Sequence, residues 1–176
     1  MKLQKIRKAI WLLLIRLLGA VKPALGTRLA IRFYGGEGLK FDGHPTFIAG
    51  DAWFDSTQSY GLITFGEGVT VSARVTVLTH DWSPSRVLWS LGRPVSDPPV
   101  GRLLPVTVKP YAFIGMGATL LPGCTVGRAA VVGAGSVVRG TVPDYAIVMG
   151  NPATVVGDNR EYVARKFPDE WAALPS

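Results

Sequence analysis

The sequence predicts an all-β solenoid, a parallel β-helix, and three observations carry that prediction. Aliphatic residues recur every six positions, at Val108, Ile114, Leu120, Val126, Val132 and Val138. A small residue or a valine follows each of them four places later, at Ala112, Ala118, Cys124, Ala130, Ser136 and Val142. Many of the 21 glycines and 13 prolines recur in phase with this repeat, so they supply turns rather than disorder. A period of six is too short for a helix or for an ordinary strand with its turn. Three hexads therefore make one coil of eighteen residues, and coils stack at the ~4.8 Å spacing of paired strands. The aliphatic position fills the interior, and the small position fits where the wall narrows. Gly115, Gly127 and Gly133, directly after the aliphatic position, are expected to relieve the corners, where positive φ is often needed. At 176 residues and 48% apolar the chain suits one compact domain.

In chain order, residues 1–40 form a basic leader and the entry to the coil. Residues 1–32 carry eight basic residues and no acidic one, whereas the remainder carries eleven basic and twelve acidic, so the leader holds the whole excess behind the net charge of +7. Ile6, Ala9, Ile10, Leu13, Leu14 and Leu17 share one face of a short helix, with Lys5, Lys8 and Arg16 on the other. Arg16 interrupts the apolar run, which is too short to span a bilayer. Gly19-Ala20 imitates a signal-peptide cleavage site, but a charge inside the apolar region argues against export. Two readings stay open for residues 1–22: a helix resting on an anionic membrane surface, or a structural helix covering the end of the coil. The protein is expected in the cytoplasm, at the inner face of the membrane on the first reading. Nucleic acid is not expected, because the basic residues lack an interleaved aromatic platform or a binding motif.

The solenoid is expected over residues 41–157. Counting back in sixes, its inward phase runs through Phe41, Phe47, Trp53, Ser59, Phe65, Val71 and Val77. The count breaks after Val77 and resumes at Val108. Residues 82–105, with Pro84, Pro94, Pro98, Pro99 and Pro105, are therefore an inserted loop, since prolines forbid continuous ladder pairing. Long loops on rigid scaffolds often carry function, and this one begins beside His80. Cys124 occupies an inward small position and reads as packing; a lone cysteine permits no internal disulfide. By the same count His44 lies two coils before His80, on one edge and about 10 Å away. That distance is too great for one metal ion to bind both, and two histidines cannot supply a three-histidine zinc site, so no metal is expected. Asn151-Pro152 is expected to close the last coil. Residues 158–176 form a C-terminal helical segment, with Asp158 as a cap and Pro168 as a stop.

Several stretches together resemble a known group. Ile114-Gly115-Met116-Gly117-Ala118-Thr119-Leu120-Leu121-Pro122-Gly123, Val132-Gly133-Ala134-Gly135-Ser136-Val137-Val138, Val142-Pro143 and Gly150-Asn151-Pro152-Ala153 are similar to the hexapeptide-repeat acetyltransferases with a left-handed β-helix. The likeness is greatest to sugar O-acetyltransferases of the galactoside and maltose type. The left hand comes from this resemblance, because periodicity is blind to it and parallel crossovers are normally right-handed.

The resemblance implies an acetyl-CoA-dependent O-acetyltransferase, working as a homotrimer on a sugar or polysaccharide precursor. Its histidine base matches His80, in Val75-Thr76-Val77-Leu78-Thr79-His80-Asp81. That chemistry is sound, since an imidazole with an ordinary pKa near 6.5 can take the proton of a hydroxyl as the oxygen attacks a thioester, with no acyl-enzyme. The oxyanion would meet a backbone N–H at the corner holding Met116. Asp81 is expected to orient the imidazole, Asp51 and Asp55 are candidate ligands for acceptor hydroxyls, and Trp82 either stacks on a sugar ring or anchors the insertion. CoA binding is implied for Met116, Ala134, Arg139 and Thr154. Met116 replaces a small polar residue of the galactoside-type pattern, and Thr154 with Gly157 replaces two basic ones. The alternatives are N-acetylation of an amino sugar by the same machinery, or a non-catalytic hexapeptide scaffold.

Overall fold

The structure is a computed structural model that describes residues 2–55, 60–94, 96 and 99–175, with side chains from residue 6 onward. Two helices come first, α1 (Lys2–Val21) and α2 (Pro23–Gly36). They approach so closely at Gly19 and Gly26 that a Cβ on Gly26 would lie 2.4 Å from the Gly19 Cα. Ala30, Phe33 and Tyr34 of α2 are buried, and the Tyr34 ring meets Phe54 edge-on at 4.8 Å, so α2 closes the first end of the core. Thr27 accepts a hydrogen bond from the Ile48 N–H at 3.1 Å, which satisfies a donor that the terminal strand would otherwise leave unpaired.

The chain then runs through short strands in successive rungs. The first rung holds β1 (Lys40–Asp42), β2 (Phe47–Ile48) and β3 (Trp53–Phe54). After a turn of 3₁₀ helix at Tyr60–Leu62, the second holds β4 (Ile63–Gly66), β5 (Thr70–Val71) and β6 (Thr76–Val77). The insertion follows, with β7 (His80–Asp81), α3 (Ser83–Ser90) and β8 (Arg102–Leu103). The third rung is β9 (Val106–Val108), β10 (Phe113–Ile114) and β11 (Thr119–Leu120), and the fourth is β12 (Thr125–Val126), β13 (Val131–Val132) and β14 (Val137–Val138). The last rung has β15 (Thr141–Val142) and β16 (Ala146–Gly150), which turns back antiparallel into β17 (Ala153–Asp158) before helices α4 (Asn159–Lys166) and α5 (Pro168–Ala172). Strands of equal place stack in parallel, giving the orders β1-β4-β9-β12-β15, β2-β5-β10-β13-β16 and β3-β6-β11-β14, with β17 added beside β16.

Between the third and fourth rungs the register is eighteen residues, pairing Val108 with Val126, Ile114 with Val132 and Leu120 with Val138. All six side chains are buried, as are Ala112, Ala118, Cys124, Ala130 and Ser136 at the small positions. Burial pushes the Cys124 thiol up to about 12.

Five expectations need correction. Val142 is not a small position: it pairs with Val126, and Val148 with Val132, because the final rung is two residues shorter. In the first rung the inward residues are Ile48 and Phe54, paired with Val71 and Val77, while Phe47 is only partly buried and Trp53 is 51% exposed. An additional residue between β1 and β2 shifts the phase, and Ser59 lies outside the described residues. His44 and His80 do not share an edge, since His44 precedes β2 at the corner whose carbonyl accepts from the Gly68 N–H, whereas His80 follows β6. Finally, Gly115, Gly127 and Gly133 are not among the positive-φ residues. They are required because the next rung is too near: a Cβ at Gly115 would sit 2.6 Å from the Val132 carbonyl oxygen, and one at Gly127 2.5 Å from the Asp144 nitrogen. Asn151-Pro152 likewise forms the tip of the β16–β17 hairpin rather than closing the last coil.

Asp158 caps α4 by accepting from the Arg160 N–H at 2.8 Å, and Arg160 also engages its carboxylate, which holds Asp158 at about 2. No helix among the described residues is long and apolar enough to cross a membrane.

Candidate active site

The site forms where the regular ladder is interrupted. Asp55 follows β3, and its N–H still donates to the Val77 carbonyl at 2.9 Å, so the ladder fixes its backbone. Its side chain turns inward and is 1% exposed. A buried carboxylate requires hydrogen-bond donors. The Asp55 Oδ2 accepts from the Thr79 N–H at 3.1 Å, from the Thr79 hydroxyl at 2.8 Å and from His80 Nδ1 at 2.5 Å. Because a carboxylate is an acceptor, the imidazole hydrogen sits on Nδ1 and Nε2 becomes the nitrogen able to take a proton.

The insertion holds this imidazole from the other side. His80 pairs with Leu103 across β7 and β8, and the Leu104 N–H donates to the Thr79 carbonyl at 2.8 Å. The Trp82 ring stacks on His80 with centroids 5.5 Å apart and planes 27° apart. Gly101 lies against that indole so closely that a Cβ there would fall 2.1 Å from Trp82 Cε3. Trp82 therefore anchors the insertion and the histidine together. Asp81 does not orient the imidazole: its carboxylate accepts from Ser83 at the start of α3, a bond that holds it below the usual carboxylate range. Asp55 supplies the contact expected of Asp81, and its burial removes it as a ligand for acceptor hydroxyls. Asp51 accepts from the Arg74 N–H at 3.2 Å and braces a corner.

His80 opens on a cavity of about 810 Å³ lined also by Asp81, Arg102, Leu104, Pro122, Gly123 and Arg139. Arg102 and Arg139 bring two positive charges to it, fitting an anionic phosphate group. A separate cavity of about 440 Å³ lies between α1 and the first rung, beside Arg16, Asp51, Trp53 and Tyr60.

The four residues implicated in CoA binding do not gather on one edge. Arg139 shares the His80 cavity. Met116 lies at the corner between β10 and β11, where its carbonyl accepts from the Gly135 N–H at 2.8 Å, and Ala134 is the neighbour of Gly135 on the next rung. Thr154 pairs with Met149, whose side chain covers Gly133 at that same corner. One chain thus places Arg139 with His80, and Met116, Ala134 and Thr154 together on a different edge. Sequence reasoning missed Thr79, Arg102 and Gly101. Only the Gly101-Arg102 dipeptide inside a proline-rich stretch hinted at a close approach.

Comparison with known proteins agrees with this architecture. Residues 105–140 match the bacterial transferase hexapeptide (six repeats) family. The chain carries the hexapeptide repeat of the bacterial transferases. This hexapeptide-repeat chain is 29% identical over 136 residues to WbbJ of Escherichia coli, named for lipopolysaccharide biosynthesis O-acetyl transfer, across 70% of the chain and 67% of that relative. It is 48% identical over 50 residues to the dTDP-3-amino-3,6-dideoxy-alpha-D-galactopyranose 3-N-acetyltransferase of Aneurinibacillus thermoaerophilus, across 28% of the chain and 26% of that relative. A mycobacterial relative named as an acetyltransferase is matched over 17% of its length, so the chain spans only a small part of some of the relatives it matches. Among solved structures, galactoside acetyltransferase in complex with coenzyme A superposes with a TM-score of 0.57 at 16% identity, over 90% of the chain and 82% of that structure. A hexapeptide-repeat acetyltransferase of Vibrio cholerae gives 0.56 at 16% identity, over 90% and 93%. Those two likenesses speak to the fold. These relatives are named as acetyltransferases.

Proposed function

We propose that the protein transfers an acetyl group from acetyl-CoA to a hydroxyl of a sugar or glycan precursor, with His80 as general base. The observation that carries this reading is the buried Asp55 carboxylate bonded to His80 Nδ1 at 2.5 Å beside a cavity holding two arginines. Asp55 fixes the tautomer and stabilises the imidazolium that forms. His80 Nε2 takes the hydroxyl proton as the acceptor oxygen bonds to the thioester carbonyl carbon. The C–S bond then breaks, and the imidazolium returns its proton to the departing sulfur. No acyl-enzyme is needed, and general base catalysis of this kind contributes about 10²–10⁴ in rate.

Arg139 would meet a phosphate of the donor by charge-assisted hydrogen bonding, while the backbone groups at Met116 and Ala134 and the residue Thr154 would line its pantetheine and nucleotide portions. Met116, Ala134 and Thr154 lie on a different edge from His80 and Arg139, so a complete site requires the corner of a second copy. A homotrimer of left-handed β-helices, with Met116 supplying the oxyanion N–H to its neighbour's His80, satisfies that requirement. The galactoside acetyltransferase structure holds coenzyme A, which supports the choice of donor.

Purified protein incubated with acetyl-CoA and a panel of nucleotide sugars, oligosaccharides and lipid-linked glycans, read by mass spectrometry, tests this proposal. An acetyl ester is expected with wild type and not with His80→Gln. Full transfer by His80→Gln would remove the base assignment. An amide product would favour the amino-sugar reading, for which the 3-N-acetyltransferase relative speaks.

A further inference from the structure

The N-terminal helix has two apolar faces, and only one is used by the fold. Ile15 is 1% exposed, and Trp11 stacks on Phe33 at 6.0 Å, so these two residues pack α1 onto the body. Contact with the first rung is close, because a Cβ on Gly50 would lie 2.8 Å from the Arg16 Cα. On the opposite side, Ile6, Ile10, Leu13, Leu14, Leu17 and Val21 are between 42% and 78% exposed. At 3.6 residues per turn those six positions fall within an arc of roughly 100°. A helix that needed only to cover the coil end would place polar residues there.

The charge around this face has one sign. The first acidic residue of the chain is Glu37, and eight basic residues precede it. Arg7 and Arg16 flank the apolar arc on its two sides, and Lys22, Arg28 and Arg32 add exposed positive charge along the helical hairpin. Glu37 is itself engaged by Lys8 at 2.6 Å and by Arg7 at 3.2 Å. A second copy docking on this face through the same face would bring like charges together, with Glu37 already engaged. Anionic lipid headgroups complement the flanks, and the acyl boundary accepts the leucines and isoleucines. The helix is not apolar enough to cross the bilayer, so it would lie in the interface plane.

We infer that the exposed face of α1 binds the surface of an anionic membrane, with the helix parallel to the bilayer. This inference stands apart from the acetyl-transfer reading, since neither His80 nor a donor enters it.

The test is sedimentation of the full chain with vesicles of phosphatidylcholine alone and of phosphatidylcholine containing one quarter phosphatidylglycerol. Binding to the anionic vesicles is expected to exceed that to the neutral ones by at least about tenfold and to fall steeply in high salt. Ile10→Glu with Leu17→Glu, both on the exposed arc, is expected to abolish it while leaving the melting temperature unchanged. Equal binding to both vesicle types, no binding to either, or undiminished binding by the double variant would overturn the proposal. Should the double variant melt early, Arg28→Glu with Arg32→Glu replaces it, with weakened anionic binding expected and unchanged binding counting against the inference. Light scattering separates the rival occupant: a smaller oligomer for the Ile10→Glu, Leu17→Glu protein, combined with no vesicle binding by wild type, assigns the face to a neighbouring copy.

Discussion

The third and fourth rungs differ from the first two in a way that separates scaffold from candidate site. From Val106 to Val138 the interior repeats almost without variation, and Ser136 is the one buried polar side chain described within that stretch. In the first two rungs and the insertion, Asp55, Thr79 and Ser85 are buried instead. Asp55 holds His80, and Thr79 holds Asp55. Regular stacking leaves no room for a carboxylate, because each inward position is claimed by an aliphatic neighbour above and below. The site can form only where turns lengthen and the chain leaves the ladder, and the regular rungs supply the rigidity against which that departure is fixed.

Substitutions in the two regions should therefore fail differently. The largest effect is expected at His80, where His80→Gln should lower kcat by about 10²–10⁴ with little change in the melting temperature. An enzyme melting normally but transferring at the wild-type rate would place the base elsewhere. Next, Leu120→Ala in the regular region should cost about 2–5 kcal/mol of stability, measured by denaturant unfolding, whereas Trp53→Ala on the exposed side of the first rung should cost within about 0.5 kcal/mol. Equal costs would erase the contrast between the rungs.

Asp55→Asn against Asp81→Asn sharpens it further. The first should reduce kcat more than KM and alter the pH profile of transfer, since it removes the acceptor that fixes the His80 tautomer; the second should leave both within about twofold. If Asp81→Asn proved the more damaging, the orientation of His80 would have to be redrawn. The smallest effect belongs to Cys124. Its folded thiol is raised to about 12, so the folded state keeps a proton that an unfolded thiol loses near 8.5. Stability from this group is then full below about pH 8.5 and declines as pH rises toward the folded value. Cys124→Ala should flatten part of that alkaline decline in a series of unfolding measurements, and an unchanged slope would argue against a buried neutral thiol.

Much of the regular region was legible in the chain. The aliphatic positions from Val108 to Val138 and the small ones from Ala112 to Ser136 all point inward, because eighteen residues per coil is an intrinsic property of three hexads. Counting failed where turns changed length. One residue gained before β2 moved the inward phase from Phe47 to Ile48, and two lost before β15 made Val142 a stacking residue. His80 was recognisable from its motif and from its place at the mouth of the insertion. Asp55 was not identifiable as its partner, since twenty-five residues separate them and the adjacent Asp81 offered a simpler choice.

Hexad spacing in the sequence thus determined the repeating interior and the interruption after Val77, and the order of residue types alone put the positive charge in the leader; all of these are set locally along the chain. Tertiary structure decided which carboxylate meets His80, which tryptophan covers it and which face of α1 is left exposed. Those contacts depend on how residues of one rung fall beneath another, and a single turn of altered length is enough to exchange one neighbour for the next.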